Sequence, residues 1–308
     1  MRIERVSGLA PADFVEQYVR PNRPVIVTGA MDGWPARERW TPDYLADQVG
    51  DIEVQVYDDL FGLKDVMPLS DYLDTRFGLP QDAASTEYVR GYSRLKAVDF
   101  FWADEAFERL RDDWATPGFL PQEGFLVPQG PAPAERALFP YRGLFISSRG
   151  CRTRLHRDPW TTSAVLCQFH GRKQLLMYAP DQAPHLVNGD GFADVEAPDL
   201  QRFPSFHEAR LAHRDVLEPG EVLFIPGGWL HHVTTLSDSI SVTWNFLHES
   251  GREGLCRFLD EHPDDPEIDV MRFFLGSRVP AQAGAAEMAA ALRDQAASTS
   301  ALPVTEAS

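Results

Sequence analysis

Two short segments of this sequence carry residue types that could bind one metal ion together. The first contains His156 and Asp158, and the second, 75 residues further along, ends at His231. Side chains at positions i and i+2 of a strand point to the same face, so His156 and Asp158 can share an ion that His231 approaches from another strand. Two imidazoles and one carboxylate that leave coordination positions open are typical of non-haem Fe(II) oxygenases.

The surroundings of these residues are more specific than the His-x-Asp pattern itself. Nine His and 27 Asp in 308 residues give about 0.8 such patterns by chance. Here, however, Pro159-Trp160 follow Asp158, and Gly171-Arg172-Lys173 lie between two apolar runs. His231 follows a Pro-Gly-Gly turn between two predicted strands, where residues at loop edges are well placed to bind ligands. Its neighbour His232 should face away from the same site.

Length, charge and cysteine content limit the class of protein. A chain of 308 residues with 44% hydrophobic content can bury a large core, and one catalytic domain with added helices is the economical interpretation. The net charge of −17 disfavours binding to DNA or an anionic membrane and suggests a weak preference for cationic substrates. Three cysteines without paired spacing suit a reducing cytoplasm. Neither a signal segment nor an apolar run of membrane-spanning length is found.

Regularly spaced short strands are predicted from residue 144 onward, which favours a jelly-roll core. They cover residues 144–147, 153–156, 164–167, 175–178, 222–225, 231–235 and 240–247. On the last of them, Ser241, Thr243 and Asn245 share one face and apolar residues share the other. A half-exposed strand has this pattern. If the polar face instead points into a barrel that holds iron, Thr243 and Asn245 contact the metal site or a co-substrate.

The flanking regions have a different character. Upstream, the patterns predict helices over 11–19, from Thr41-Pro42 and over 70–77, strands over 25–27, 52–56 and 87–92, and a loop-rich connection over 117–140. Downstream, helices are predicted over 254–261, 267–275 and 285–297. The chain therefore divides into an amino-terminal region (1–140), a β core (141–250), carboxy-terminal helices (251–297) and a flexible tail (298–308).

In these motifs the sequence resembles the Jumonji-C (JmjC), or cupin-like, 2-oxoglutarate oxygenases, and within them most closely the JmjC lysyl hydroxylase group. The resemblance is carried by His156-Arg157-Asp158-Pro159, Thr162-Ser163-Ala164, Gly171-Arg172-Lys173, the run from Pro219 to Val233, and Ile240 to Phe246. These motifs cover residues 144–247, and residues 21–54 match the family more loosely.

The resemblance implies a mainly β fold with added helices around a double-stranded β-helix, the cupin-like jelly roll. It implies Fe(II) bound by His156, Asp158 and His231, with 2-oxoglutarate as co-substrate. The residues that match positions around the co-substrate are Lys173, Thr153, Tyr88, Thr243 and Asn245. Lys173 matches the lysine that holds the far carboxylate of 2-oxoglutarate, and an ammonium with hydroxyl groups gives strong hydrogen bonds to such an anion.

Two positions depart from the family pattern. Leu166 stands where many relatives have an asparagine, and Leu230 stands where many have a second tryptophan before the distal histidine. Neither removes a metal ligand, so we expect the reaction type to be kept and the co-substrate contacts and substrate shape to differ.

The hypothesis from sequence is an oxygenase that uses dioxygen and 2-oxoglutarate to hydroxylate a side chain of a protein or peptide. The alternatives are a free amino acid, a natural product or modified tRNA as substrate, removal of an N-methyl group, and a binding module that holds iron or 2-oxoglutarate without turnover. Apolar positions in the carboxy-terminal helices could pack onto the barrel, which is the default, or pair two subunits in a homodimer. These positions are Leu255, Phe258, Leu259, Met271, Phe273 and Phe274.

Overall fold

The structure, a computed structural model, describes residues 1–59, 61–80, 86–92, 102–127, 142–189 and 191–300. The strands are β1 Arg5–Ser7, β2 Val25–Thr28, β3 Glu53–Tyr57, β4 Leu63–Pro68, β5 Tyr88–Tyr92, β6 Phe125–Val127, β7 Arg142–Ser147, β8 Arg152–His156, β9 Ser163–His170, β10 Lys173–Tyr178, β11 Val187–Asn188, β12 Gly191–Phe192, β13 His213–Leu217, β14 Glu221–Ile225, β15 Leu230–Thr235 and β16 Ser239–His248. The α-helices are α1 Pro11–Phe14, α2 Ala36–Arg39, α3 Pro42–Val49, α4 Leu69–Arg76, α5 Trp102–Arg109, α6 Ala183–Leu186, α7 Arg252–Glu261, α8 Ile268–Leu275 and α9 Ala285–Ser300.

Two sheets form the core. The major sheet has the strand order β1-β2-β14-β9-β16-β7-β5-β3-β4, with β6 paired to β16, and the minor sheet has the order β13-β10-β15-β8. Strands β7 to β10, and again β13 to β16, alternate between the two sheets, which is the winding of a jelly roll. The predicted mainly β fold with added helices and a jelly-roll core is confirmed.

The two sheets pack face to face through apolar side chains. This inner cluster combines Leu166, Leu223 and Ile225 of the major sheet with Met177 and Val233 of the minor sheet, all at most 9% exposed. Each fully buried side chain of this size contributes roughly 1.5–3 kcal/mol through the hydrophobic effect. The apolar cluster fills only part of the interior, and polar side chains line the rest.

Strand β16 shows how the polar part of the interior arises. Trp244 and Phe246 point out of the barrel into the cluster beneath the amino-terminal helices. Ser241, Thr243 and Asn245 alternate with them and are also buried, at 0%, 7% and 3% exposure. The prediction of a half-exposed strand is therefore wrong, and the polar face of β16 points into the barrel.

The flanking helices cover the outside of the barrel. Helices α1 and α3 to α5 cover the major sheet, and α1 continues as a π-helical turn over Val15–Val19. The Thr41 hydroxyl accepts a hydrogen bond from the Tyr44 amide at 3.2 Å, which confirms the predicted cap of α3. Helices α7 to α9 pack through a separate apolar cluster against Leu247 and Trp160. No helix in the described part of the chain has the length and apolarity needed to cross a membrane.

Several elements differ from the sequence prediction. The polar strands β4 and β13 lie at sheet edges and were not predicted, nor was helix α5. The loop-rich connection contains a short strand, β6, and its remainder from residue 128 to 140 lies outside the described residues. Helix α9 continues to Ser300, three residues into the predicted tail, whose residues 301–308 also lie outside the description.

Candidate active site

The three predicted metal ligands come together at one end of the barrel. His156 is the last residue of β8, Asp158 follows in the next loop, and His231 lies opposite His156 in the antiparallel pairing of β8 with β15. One ligand atom from each residue lies within 4.8 Å of the other two. The two imidazole rings are 4.2 Å apart between centroids. This is the only such cluster of metal-binding side chains among the described residues.

Backbone carbonyls orient both imidazoles. His156 Nδ1 lies 2.8 Å from the Arg154 carbonyl oxygen, and His231 Nδ1 lies 3.1 Å from the Trp229 carbonyl oxygen. Because a carbonyl only accepts, each Nδ1 carries a proton, so in the neutral imidazole the lone pair lies on Nε2, the atom that can bind a metal. Ligand histidines in metal sites are held by the same kind of hydrogen bond.

The electrostatics of the three groups also suit a cation. Burial lowers the pKa of His156 well below its ordinary value, and the neighbouring His231 adds to this effect. Burial raises the pKa of Asp158, while His231 and a hydrogen bond from Asn245 lower it. Asp158 also has a buried oxygen, Oδ2, without a hydrogen-bond partner among the described residues. A divalent ion would bind both imidazoles and stabilise the carboxylate, so the residues fit iron.

Two turns bring Asp158 and His231 into position. Trp160 and Thr161 adopt left-handed backbone conformations at φ 55° and 57°, which are strained for residues with a Cβ. The Pro-Gly-Gly turn packs directly against them, since a Cβ on Gly227 would lie 2.2 Å from the Thr161 carbonyl oxygen. The Gly227 amide also donates to Ser163 Oγ at 3.0 Å. Glycine at position 227 therefore permits the close approach of the two ligand-bearing segments.

Lys173 lies deeper in the barrel as a buried cation. Its ammonium donates to Ser241 Oγ at 2.8 Å and lies 5.8 Å from the Phe145 ring centroid. Burial lowers the pKa of Lys173 to about 8. No carboxylate among the described residues pairs with it. A lysine is seldom buried without an anion, so this position suits the carboxylate of a co-substrate.

The other residues predicted around the co-substrate lie in the same interior. Thr153 pairs with Val233 of the inner cluster. The Tyr88 hydroxyl, Thr243 Oγ1 and Asn245 Oδ1 are buried and reach no partner in hydrogen-bonding geometry among the described residues. Burial raises the pKa of Tyr88 to about 12, against smaller opposite effects of Thr153 and Arg90. Unsatisfied buried oxygens are uncommon in folded proteins, so these three are candidates for contacts with a polar ligand.

The two departures from the family pattern have different surroundings. Leu166 lies opposite Thr243 in the pairing of β9 with β16, so an apolar side chain stands beside the unsatisfied Thr243 hydroxyl. Leu230 points out of the barrel, into the cluster that contains Leu155 and Tyr178. Leu166 can therefore alter co-substrate contacts directly, whereas Leu230 contributes to packing behind His231.

His232 is separate from the metal site, as the sequence led us to expect. Its Nε2 lies 3.2 Å from Thr234 Oγ1 and 3.6 Å from a Glu196 carboxylate oxygen. Burial lowers its pKa, while Glu196 raises it. This histidine contacts the loop that covers the outer face of the minor sheet.

Three residues near the site were not predicted. Ser241 bonds to Lys173, Phe61 lies with its ring edge-on to His156 at a centroid distance of 5.5 Å, and Arg90 packs over Phe61. The i, i+2 relation of Arg90 to Tyr88 on one strand is the sequence signal that could have found Arg90. Phe61 carries no such signal, because it reaches His156 only through the tertiary fold.

A cavity of about 610 Å³ opens beside Asp158. It lies between the 157–161 turn and the end of helix α7, and Arg257, Glu261 and Glu267 are among the residues that line it. Its size is within the range of small-molecule or side-chain binding sites. Of the three predicted metal ligands, Asp158 is the one that lines this cavity.

Comparison with known proteins identifies the family. The cupin-like domain family matches residues 11–252. The chain is 30% identical over 275 residues to arginine-specific demethylase JMJ22 of Arabidopsis thaliana, covering 86% of this chain and 50% of that protein. It is 30% identical over 251 residues to tRNA wybutosine-synthesizing protein 5 of Danio rerio, covering 76% and 72%. It is 26% identical over 269 residues to 2-oxoglutarate and iron-dependent oxygenase JMJD4 of Gallus gallus, covering 80% and 60%.

The chain spans half of the JMJ22 protein and 26% of lysine-specific demethylase JMJ21 of Arabidopsis thaliana. The family match nevertheless extends over most of the present sequence and includes Lys173 and all three residues predicted to bind the metal. Together with the jelly-roll core, it shows that the chain belongs to the cupin-like JmjC family of oxygenases that use iron and 2-oxoglutarate.

Proposed function

We propose that this chain is an Fe(II)- and 2-oxoglutarate-dependent oxygenase that hydroxylates a side chain of a protein or peptide. The observation that carries the proposal is the combination of an oriented His156, Asp158 and His231 cluster with the buried ammonium of Lys173. When bound, iron and 2-oxoglutarate supply the activation of dioxygen, with oxidative decarboxylation of the co-substrate to succinate.

The residues of the chain have distinct tasks in this proposal. His156, Asp158 and His231 hold the metal, and the carbonyls of Arg154 and Trp229 keep both imidazoles in the ligand tautomer. Lys173 binds the far carboxylate of 2-oxoglutarate, with hydroxyl support from neighbours. The residues that would give this support are Tyr88, Thr153, Ser241 and Thr243, with Asn245 beside Asp158. The apolar walls exclude water from the reacting carbon.

Hydroxylation of a protein or peptide is our choice among several outcomes. The relatives' names include demethylases, a tRNA-modifying protein and oxygenases. Removal of an N-methyl group begins with hydroxylation of that methyl, so one site could perform either reaction. A cytoplasmic location is part of the proposal, and three buried cysteine thiols support a reducing compartment.

Succinate formation tests the proposal. Purified, Fe(II)-loaded protein would receive 2-oxoglutarate with and without the macromolecular protein fraction of its host. We expect the protein fraction to raise succinate formation above the background. We expect His156→Ala to abolish the stimulated succinate formation and the background formation alike. His232→Ala is the matched control, since His232 is a neighbouring buried histidine outside the metal cluster. We expect it to keep the background turnover.

Mass spectrometry of the protein fraction would then locate the added oxygen. Succinate formation that survives in His156→Ala would contradict the assignment of the metal site. Turnover that the protein fraction never stimulates, but that small molecules or RNA do, would contradict the proposed substrate class and leave the oxygenase assignment in place.

A further inference from the structure

Arg90 projects into the barrel from strand β5. In the register of the major sheet it lies opposite Phe145, which lies opposite Ser241, the partner of Lys173. Side chains of directly paired residues share a face of the sheet, so Arg90 and Ser241 point into the same interior. Tyr88, two residues before Arg90, points the same way.

Two aromatic rings hold the Arg90 guanidinium in place. Its central carbon lies 4.9 Å from the Tyr57 ring centroid and 4.4 Å from the Phe61 ring centroid. Phe61 in turn contacts the His156 ring edge-on at 5.5 Å. The guanidinium is therefore separated from a metal ligand by a single ring. Stacking occupies the flat surface of a guanidinium and leaves its in-plane N–H donors for another partner.

Phe61, in the hairpin connection between β3 and β4, is held by hydrogen bonds among the described residues around it. Phe61 has φ of 65°, which is uncommon for a bulky side chain, and its amide donates to the Asp58 carbonyl at 3.2 Å. The Gly62 amide donates to Asp58 Oδ1 at 2.9 Å. Strain of this kind persists only where the surrounding contacts determine the conformation, and it is concentrated at functional sites.

Ion pairs join this hairpin to the strand that ends at His156. Asp59 Oδ2 lies 3.0 Å from Arg152 Nη2 and 3.3 Å from Arg154 Nε. Glu196 and Asp194 complete the neutralisation of these two arginines. The wall formed by Tyr57, Phe61 and Arg90 is thus fixed relative to the metal ligands.

Arg90 differs from these arginines in having no acidic partner in the described part of the chain. Within the described residues, no carboxylate lies within ion-pair distance of it, although the chain carries a net charge of −17. A half-buried arginine without a carboxylate is suited to an anion that arrives with a ligand.

The co-substrate does not need this second cation. Iron(II), the Asp158 carboxylate, a 2-oxoglutarate dianion and the Lys173 ammonium together carry no net charge. Arg90 therefore leaves the loaded site with one positive charge. An anionic group on the substrate would neutralise it in surroundings of low dielectric constant, where such pairing is strongest.

We propose that Arg90 binds a carboxylate of the prime substrate and so selects peptides or amino acids that carry a carboxylate close to the hydroxylated carbon. This inference rests on the proposed function and names the substrate class of that same site. It is the opposite of the cationic preference that the overall charge of the chain suggests. The charges close to Arg90 should determine the substrate preference, because exposed charges more than a Debye length of about 8–10 Å away are largely screened.

Binding of small matched probes tests the inference without turnover. The protein would be loaded with Mn(II) and saturated with 2-oxoglutarate, and calorimetry would compare N-acetylglutamate amide and N-acetylalanine with N-acetylglutamine amide. The first two carry one carboxylate each, and the third carries none. We expect at least one carboxylate probe to bind about tenfold more tightly than the neutral probe, the low end of a charge-assisted hydrogen bond.

The variants separate the possible roles of Arg90. We expect Arg90→Met to remove the discrimination, Arg90→Lys to keep part of it, and Arg149→Met, a change at an exposed arginine, to keep all of it. Equal binding of all probes by the native protein, or discrimination that persists in Arg90→Met, would overturn the inference. So would a loss of 2-oxoglutarate affinity in Arg90→Met, since the arginine would then serve the co-substrate. Failure of the proposed function would instead appear as absent 2-oxoglutarate binding in the native protein.

Discussion

At the scale of single residues, the site contains buried polar groups with few or no hydrogen-bond partners among the described residues. Lys173 is 5% exposed, and its ammonium makes one side-chain hydrogen bond, to Ser241. An ammonium has three donors, and burying a charge costs several kcal/mol unless it is paired. The cost is acceptable only if the binding of an anion offsets it. Lys173 should therefore control the affinity for 2-oxoglutarate.

We predict that Lys173→Met weakens 2-oxoglutarate binding by about 10- to 150-fold, the range of a hydrogen bond to a charged group. The bound dicarboxylate favours the protonated lysine, whose pKa is about 8 in the free protein. Native affinity should therefore be constant below pH 8 and fall as the pH rises above it, because the lysine must take up a proton to bind. The Lys173→Met protein should bind 2-oxoglutarate weakly at every pH, without this decrease.

Anaerobic titration of the Fe(II) protein between pH 7 and 9.5 measures this dependence. Arg172→Met, a change at the exposed neighbour of Lys173, should behave like the native protein. Two results would show that Lys173 does not bind the co-substrate. One is an unchanged 2-oxoglutarate affinity in Lys173→Met, and the other is a native affinity that increases as the pH is raised beyond 8.

The structure brings together the three residues that the sequence predicted as metal ligands, whereas other residues beside them were not predicted. His156, Asp158 and His231 were found because their motifs are local, and the structure brings them together. Arg90 and Phe61 were missed because their relation to His156 depends on a hairpin that is distant in sequence. A side chain that acquires its role through tertiary contacts has no sequence spacing to reveal it.

At the scale of elements, strands with a clear apolar period were predicted within a few residues. Strand β16 is the clearest case, since its alternation separates the outer core from the polar interior. Strands β4 and β13 were missed because edge strands are polar and lack that period. Helix α5 was missed although Trp102, Ala106 and Phe107 are spaced along one buried face.

The close approach of two turns gives a prediction at this scale. Gly227→Ala would place a Cβ 2.2 Å from the Thr161 carbonyl oxygen, so the turn before His231 and the loop after Asp158 must separate. We expect iron affinity to fall about 10- to 100-fold, as when groups that orient metal ligands are altered. Anaerobic Fe(II) titration measures this.

Gly118→Ala is the control, since a Cβ at that position meets no atom within 4 Å. It should bind iron like the native protein. Native iron affinity in Gly227→Ala would mean that the ligand geometry does not depend on this contact.

At the scale of the whole molecule, the carboxy-terminal helices take part in the architecture of the metal site. Leu255, Leu259, Met271 and Phe274 are buried against the barrel, whereas Phe273 is 66% exposed. Packing of the helices onto the barrel, the default expectation, accounts for the buried positions. A homodimer stays a prediction. The exposed Phe273 side chain could provide an apolar contact to a second subunit.

The contact between these helices and Trp160 extends their influence to Asp158. Phe274 lies 6.2 Å from Trp160 between ring centroids, and both belong to one buried cluster. Trp160 follows Asp158 by two residues and has a left-handed backbone. Such a conformation persists only where packing enforces it. Residues more than 100 positions away in sequence thus help to hold a ligand-bearing loop.

We predict that Phe274→Ala lowers the free energy of unfolding by about 3–5 kcal/mol and also weakens iron binding about tenfold. Phe107→Ala, at an equally buried phenylalanine under the major sheet, should cost similar stability and leave iron affinity unchanged. Urea unfolding and anaerobic Fe(II) titration measure the two effects separately, and Phe274→Leu serves if the alanine variant does not fold. Equal iron affinity in the Phe274 and Phe107 variants would limit the carboxy-terminal helices to a role in stability. A selective loss in the Phe274 variant would show that packing holds Asp158 in place.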